Sequence, residues 1–344
     1  MKVTDRRRLP RTDLSLPVLG MGGAQLGGLF QASTGEQAAG LVQAAWSAGV
    51  RFFDTAPFYG YTLSERRLGT ELAGLPRDAF ILSTKVGRLM RPDTSVRPGD
   101  DCFANPLPFR PVFDYSYDGV MRSFEDSLQR LGLPRIDMLF VHDIGRMTHG
   151  ERHAHHWRQL TRAGGFRALA ELRSDGRVGA VGLGVNEWLA VHDAMQEFDL
   201  DVSMLAGRYT LLEQDSLSPL LDACLQCGHA IVVAAPFNSG VMAGTNTFNY
   251  GEAPSEVVLR VQSLQAVCRE FDVALPAAAL QFPLAHPAVV SCVVGAHTPT
   301  QLQQNIAWLQ MDLPAAFWAA LHERGLVDER APLPDTLVEA SPCS

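Results

Sequence analysis

Eight times along this 344-residue chain, a short and nearly continuous apolar run gives way to a stretch with helical periodicity. The runs fall at 18–21, 51–55, 80–85, 136–142, 178–184, 202–206, 230–235 and 289–295. The periodic stretches lie near 36–48, 64–73, 116–131, 165–176, 187–197, 216–227, 255–271 and 299–309. Strands apolar on both faces belong to parallel sheets covered by their crossover helices. Repeated units of this kind close into an α/β (β/α)8 TIM barrel. Helix-start signals agree: Thr34 to Gln37 reads as a capping box, Ser64 precedes Glu65, and Pro299 follows Thr298. No linker divides the sequence, so a single domain is expected over 1–344, with a core at about 12–325 and a tail at 326–344.

Two connections are too long for ordinary turns. Residues 88–114, after the third strand, are rich in Pro, Gly and Arg, and 143–165, after the fourth, carry His149, His153, His155 and His156. Both leave the strand ends where barrel enzymes keep their active sites. The first is expected to cover a substrate. The second reads as a solvated loop without a metal, since no acids or cysteines accompany it at ligand spacing, although His149 is near enough to reach a pocket. Cys224 and Cys227, at helical spacing, read as packed thiols. The glycine run at 20–28 lacks dinucleotide-fingerprint spacing and is expected to let the first strand approach a ligand.

The formal net charge of −8 argues against nucleic acid or an anionic membrane as the main partner, which leaves a small-molecule substrate. No apolar run reaches the roughly 20 residues a spanning helix needs. The first residues lack a secretory apolar core, and six scattered cysteines suit a reducing compartment, so a cytoplasmic location is expected. No sequence stripe demands a partner chain, and monomer and homodimer both remain open.

Chemistry concentrates at strand ends. Asp54 closes the second run and Tyr59 follows five residues on; Lys85 ends the third run and His142 the fourth. A phenol with pKa about 10 keeps its proton at neutral pH. A neighbouring ammonium favours the phenolate, and a carboxylate keeps that ammonium charged. The four residue types together are what proton transfer at a carbon–oxygen bond requires while a hydride moves elsewhere.

With these residues stand FDTAPFYG (53–60), STKVG (83–87), GLGVN (182–186) and VVGAHTPTQLQQN (293–305), and in this order the chain resembles the aldo-keto reductase superfamily over nearly its full length. LSERRLG (63–69), RSFEDSLQRLGLPRID (122–137), AGRYTLLEQ (206–214), APFNSG (235–240) and LQFPLAHPAV (280–289) resemble the aldose 1-dehydrogenase branch, which includes pyridoxal 4-dehydrogenases.

That resemblance implies a nicotinamide-dependent oxidoreductase with Asp54, Tyr59, Lys85 and His142 as a catalytic tetrad. Tyr59 would exchange the proton, Lys85 lower its pKa, Asp54 fix Lys85 and His142 orient the reacting oxygen. Cofactor contacts are implied at Gly22, Asn186, Pro236, Asn238, Gly240, Gly295, Ala296, His297, Thr298, Gln301, Gln304 and Asn305. Val185 stands where a serine is frequent, and Ala234 where a stacking aromatic is usual, so Tyr209 or Phe237 is expected to replace that platform. Gly295, Ala296 and Gln301 stand where NADP-using members resemble a Lys-Ser…Arg pattern, so NAD is favoured over NADP. Substrate contacts are expected from Phe30, Phe58, Arg88, Asp143 and His149, with Trp188, Asn238 and the chain past 314 nearby. An aldose oxidised at C1 to its lactone is the leading substrate, because polar groups outnumber aromatic ones in these loops. Pyridoxal, general aldehyde or ketone reduction, and a non-catalytic nucleotide-binding subunit are the alternatives.

Overall fold

The alternation of strand and helix signals resolves into a closed ring of eight parallel strands in the computed structural model, which describes residues 1–334. The barrel strands are β1 (Leu19–Gly22), β2 (Phe52–Asp54), β3 (Ile81–Val86), β4 (Met138–His142), β5 (Ala180–Val185), β6 (Val202–Ala206), β7 (Ala230–Ala234) and β8 (Val289–Val294). They pair in sequence order, and β8 returns to β1 with Cys292 opposite Leu19. This is the expected barrel.

Side chains alternate along each strand, so one set fills the barrel and the other faces the helices. Phe52, Met138, Phe140, Val202, Met204 and Val232 form the inner cluster, while Phe53, Leu139, Val141 and Leu183 join the outer core. Leu9 and Leu16 belong to the inner cluster and are fully buried. They come from an antiparallel hairpin, Arg6–Arg8 with Ser15–Pro17, that plugs the N-terminal end of the barrel. Arg7 Nη1 fastens it by donating to the Val289 carbonyl at 2.7 Å.

Two aspartates brace the same end. Asp137 Oδ2 accepts from Leu82 N at 2.7 Å and from Arg77 Nη2 at 2.6 Å. Asp201 Oδ2 accepts from Val181 N at 3.0 Å, with Arg173 Nη1 at 2.9 Å. Each carboxylate thus satisfies a strand N–H that a buried barrel end would otherwise orphan.

Elsewhere the structure departs from sequence expectation. Thr34 and Gln37 do form a capping box, and Thr298 caps Pro299–Gln310. Ser64 is no cap: it lies inside helix Leu63–Leu72, and its hydroxyl donates to the Gly23 carbonyl at 2.6 Å. The stretch at 216–227 is interrupted, with regular α-helix only over Asp222–Cys227. Two further helices, Leu275–Gln281 and Ala315–Glu323, lacked a periodic signal strong enough to stand out.

Residues 88–114 contain an antiparallel hairpin, Arg88–Pro92 with Phe109–Phe113. Residues 143–165 are not a solvated loop: they form helices Arg146–His149 and His153–Thr161, and His149, His153 and His156 are buried. Cys224 is buried, with its thiol pushed up to about 12 by desolvation, while Cys227 is exposed. No helix among the described residues is long and apolar enough to cross a membrane.

Candidate active site

Asp54 is the last residue of β2, and the chain turns sharply beyond it, with Tyr59 N donating to the Ala56 carbonyl and Thr62 N to the Pro57 carbonyl. This turn packs on the glycine run that follows β1. A Cβ on Gly60 would lie 2.3 Å from the Gly27 oxygen, and one on Gly23 would lie 2.9 Å from the Asp54 oxygen. The glycines therefore admit protein backbone where the sequence suggested a ligand. Gly22, the last residue of β1, is only partly buried, and a Cβ there would meet the Val293 side chain at 3.2 Å.

Lys85 Nζ donates to Asp54 Oδ2 at 2.7 Å and to the Thr55 carbonyl at 3.0 Å. Ser83 Oγ donates to the other oxygen of Asp54 at 2.7 Å. Room for the lysine stem comes from Gly184 on β5, where a Cβ would stand 3.2 Å from Lys85 Cε. Lys85 Nζ lies 4.8 Å from the Tyr59 ring centroid. The His142 ring is 6.0 Å from that of Tyr59 and nearly perpendicular to it. The four expected residues converge.

Their electrostatics follow from burial. Desolvation works against the Lys85 charge, but Asp54 and the phenol outweigh it and hold the ammonium above its ordinary value. Desolvation raises the Tyr59 phenol, and Lys85 pulls it down by less, so the net direction is upward. That reverses the lowered phenol expected from sequence: burial wins over the neighbouring charge. Desolvation, with Arg88 and Lys85, holds His142 well below the usual imidazole range. His142 is a neutral ring whose Nδ1 is buried without a partner and whose Nε2 lies 3.5 Å from Asp143 Oδ2.

A polar chain runs outward from there. Asp143, with φ of +46°, binds Arg88 Nη2 through one oxygen and accepts from Asn186 Nδ2 at 3.1 Å through the other. The Arg88 guanidinium lies 4.1 Å over the Phe58 ring. Arg208 Nε donates to the Asn186 carbonyl at 2.5 Å, and Arg208 Nη2 to Asn249 Oδ1 at 3.0 Å. Arg208 carried no signal beyond its place in a matched segment.

Other expected residues lie elsewhere. His149 is turned behind the site, where its Nε2 pairs with the Tyr115 hydroxyl at 2.9 Å; Tyr115 also donates to the His142 carbonyl at 2.8 Å. Tyr209 is fully buried against Phe282 and His286, so it is core and offers no nicotinamide platform. Phe237 leans on Trp308 with ring centroids 5.7 Å apart. Trp188 lines a groove of about 850 Å³ on the outer side of that polar chain, with Asn186, Arg208 and Asn249 in its wall together with Arg260 and Asp328. Residues 335–344, part of the expected tail, lie outside the described residues.

At the rim above β7 and β8, Pro236 and Asn238 are buried and Gly240 has φ of +107°. Asn238 Nδ2 donates to the Gly207 carbonyl at 3.2 Å, while its Oδ1 is buried without a partner. Gly295 is exposed and Ala296 buried. Gln301 accepts from His297 N at 2.7 Å, Thr298 Oγ1 accepts from Gln301 N at 3.2 Å, and Asn305 Nδ2 donates to the Gly295 carbonyl at 3.2 Å; Gln304 is exposed. An orphaned acceptor on the connection after β7 and a helix that starts at Pro299, just past β8, are groups that fit a nucleotide, which brings both hydrogen-bond donors and a pyrophosphate.

A buried Lys–Asp pair against a phenol and a neutral imidazole, at the C-terminal end of a (β/α)8 barrel, defines an oxidoreductase acting on CH–OH groups. The chain belongs to the aldo/keto reductase family, whose profile matches residues 18–324, and whose members use nicotinamide cofactors. It is 48% identical over 340 residues to pyridoxal 4-dehydrogenase of Microbacterium luteolum, covering 95% of this chain and 99% of that protein. It is 43% identical over 323 residues to D-threo-aldose 1-dehydrogenase of a Pseudomonas species, covering 91% and 95%. The holo form of a Bacillus halodurans aldo-keto reductase superposes with a TM-score of 0.72 over 94% of this chain and 97% of that one; at 21% identity it shows the fold alone.

Proposed function

We propose that this protein oxidises a cyclic hemiacetal to a lactone with NAD, using Tyr59 as the general acid/base. The observation that carries the reading is the position of Tyr59, a half-buried phenol against a charged Lys85 and a neutral His142. Tyr59 takes the proton of the hemiacetal hydroxyl, and Lys85 stabilises the phenolate that permits this. Asp54 keeps Lys85 charged. His142, neutral, hydrogen-bonds the reacting oxygen without competing for its proton. A bound nicotinamide supplies the hydride acceptor at the same carbon.

Both named relatives suit this reaction, because aldoses close to hemiacetals and pyridoxal closes through its neighbouring hydroxymethyl group. Three internal contacts support the flat pyridoxal-type ring over the sugar. Arg88 and Asp143 neutralise each other, His149 is turned behind Tyr115, and Asn238 holds the Gly207 carbonyl. The polar groups that favoured a sugar are thus largely spent inside the protein, while Phe58 and Phe30 remain for an aromatic face. An aldose stays the second reading, since the Nε of Arg88 is buried without a partner and could donate to a sugar hydroxyl.

For the cofactor, NAD remains favoured. Gln301 is engaged with His297 N, and desolvation lowers the His297 imidazole, so neither presents a cation to a 2′-phosphate. A panel of pyridoxal, L-fucose, L-galactose and D-arabinose with NAD tests the function. Efficient oxidation of pyridoxal supports the leading reading. Turnover of the sugars alone replaces it with the second, and reaction with none of the four defeats both.

A further inference from the structure

Two large aromatic side chains face each other at the open end of the barrel, and both sit on backbone that bulky residues avoid. Phe30 follows β1 with φ of +61°, and Tyr250 lies in the connection after β7 with φ of +66°. Each keeps about half its surface exposed, 48% and 49%, and their ring centroids are 6.3 Å apart. Left-handed backbone at a bulky residue is maintained only where the surroundings impose it, and such residues gather at ligand clamps.

The turn that carries Tyr250 makes the point sharper. Thr247–Phe248 and Gly251–Glu252 pair as a hairpin, with Phe248 opposite Gly251, so Asn249 and Tyr250 are its two loop residues. Both have positive φ, which is the type I′ pattern, and the second position of that turn strongly favours glycine. Here a tyrosine occupies it. The hairpin is also tethered inward: Asn249 Oδ1 accepts from Arg208, whose Nε holds the Asn186 carbonyl, and Tyr250 N donates to Ser239 Oγ at 3.2 Å.

We infer that Phe30 and Tyr250 form a two-jawed aromatic mouth over Tyr59, and that Tyr250 is a substrate-contacting residue that determines specificity. The hydroxyl end of Tyr250 is desolvated, which raises its phenol. Tyr59 and Asp143 add to that rise, and Arg208 and Arg88 oppose it. The geometry agrees: the hairpin that carries Tyr250 is tied through Asn249, Arg208 and Asn186 to Asp143, in the polar chain of the reaction centre. The two rings, tilted by 37° and in contact with each other, would close as an apolar cover over a flat ring, while the Tyr250 hydroxyl offers a donor to an oxygen at its edge. The flat-ring substrate rests on the reading proposed above, but the mouth does not depend on it.

Tyr250→Gly tests the inference cleanly, because glycine suits the positive φ better and the hairpin should fold at least as well. The expected result is a KM for the preferred substrate raised about tenfold or more, with NAD affinity unchanged and the melting temperature equal or higher. Phe30→Ala should raise KM in the same direction. An unchanged KM in Tyr250→Gly overturns the inference, as does an NAD affinity that weakens as much as KM rises, which would make the hairpin a cofactor clamp. Wild-type protein is assayed first with pyridoxal and L-fucose. If only the sugar reacts, the flat-ring reading fails on its own, and the mouth is judged by the same criteria on the sugar's KM.

Discussion

Gly27 and Gly60 touch backbone to backbone, so closely that a methyl group on Gly60 would lie 2.3 Å from the Gly27 oxygen and one on Gly27 would lie 2.6 Å from the carbonyl carbon of Tyr59. The glycine run after β1 thereby sets the height of the loop that carries the phenol. Gly60 also has φ of +61°.

Gly27→Ala should therefore displace Tyr59 without removing any reacting group. A shift of about 1 Å at a reacting centre costs on the order of 10²-fold in rate. The expected outcome is a kcat/KM reduced by roughly that factor in a protein that still folds and still binds NAD. Wild-type turnover in Gly27→Ala would show that the loop accommodates the methyl group and that the contact is unimportant.

The Lys85–Asp54 pair predicts a separation of stability from activity. Lys85→Met leaves a buried carboxylate unpaired, at a cost of about 3–5 kcal/mol. Adding Asp54→Asn removes that charge, so the double variant should melt well above Lys85→Met while remaining inactive. Chemical denaturation and turnover measured on the same samples check this. Equal stability of the single and double variants contradicts it.

The sequence revealed the barrel because its strands are buried on both faces and read as unbroken apolar runs. It revealed the convergence of Asp54, Tyr59, Lys85 and His142 because strand ends point to one rim whatever the loops do. What it hid depends on tertiary environment. The hairpin from Arg88 to Phe113 is polar and proline-bearing, so it lacks strand periodicity. Tyr209 sits in a segment matched to relatives, yet only the packing of Phe282 and His286 shows that it faces the core. His149 and His156 read as solvated, but their tilted rings pack with centroids 4.2 Å apart, both edge-on to Tyr115, and desolvation lowers His149 to about 4. Tyr250 gave no sign at all: its role depends on a turn conformation that composition does not encode.

The raised Tyr59 phenol gives a pH signature. Oxidation needs the phenolate, whose fraction grows with pH as long as the pH is below the phenol's pKa. Oxidation should therefore accelerate steadily from neutral into alkaline solution, while the reverse reduction, which needs the phenol, should stay flat and fall only at high pH. His142 remains neutral throughout this range, since its imidazole is held well below its usual value. An oxidation rate that is flat above neutral pH would contradict a phenol raised by burial.

Cofactor choice should follow the missing cations between Gly295 and Asn305, a segment with no lysine or arginine. A charge-assisted hydrogen bond contributes about 1.5–3 kcal/mol, so losing even one corresponds to roughly tenfold or more in affinity. NAD is expected to exceed NADP by at least that margin in kcat/KM, and Gln301→Arg to narrow the gap. Steady-state kinetics with both cofactors decide it, and a wild-type preference for NADP would refute the assignment.

The most direct measurement concerns Tyr59 itself. Tyr59→Phe removes one oxygen atom from the site and leaves Lys85, Asp54 and His142 in place. Positioned acid–base groups contribute about 10²–10⁴-fold to rate. With pyridoxal and NAD, kcat is expected to fall by that much while the NAD dissociation constant, measured by fluorescence titration, stays within about twofold. Turnover retained in Tyr59→Phe, at any pH, would contradict the claim that this phenol moves the proton.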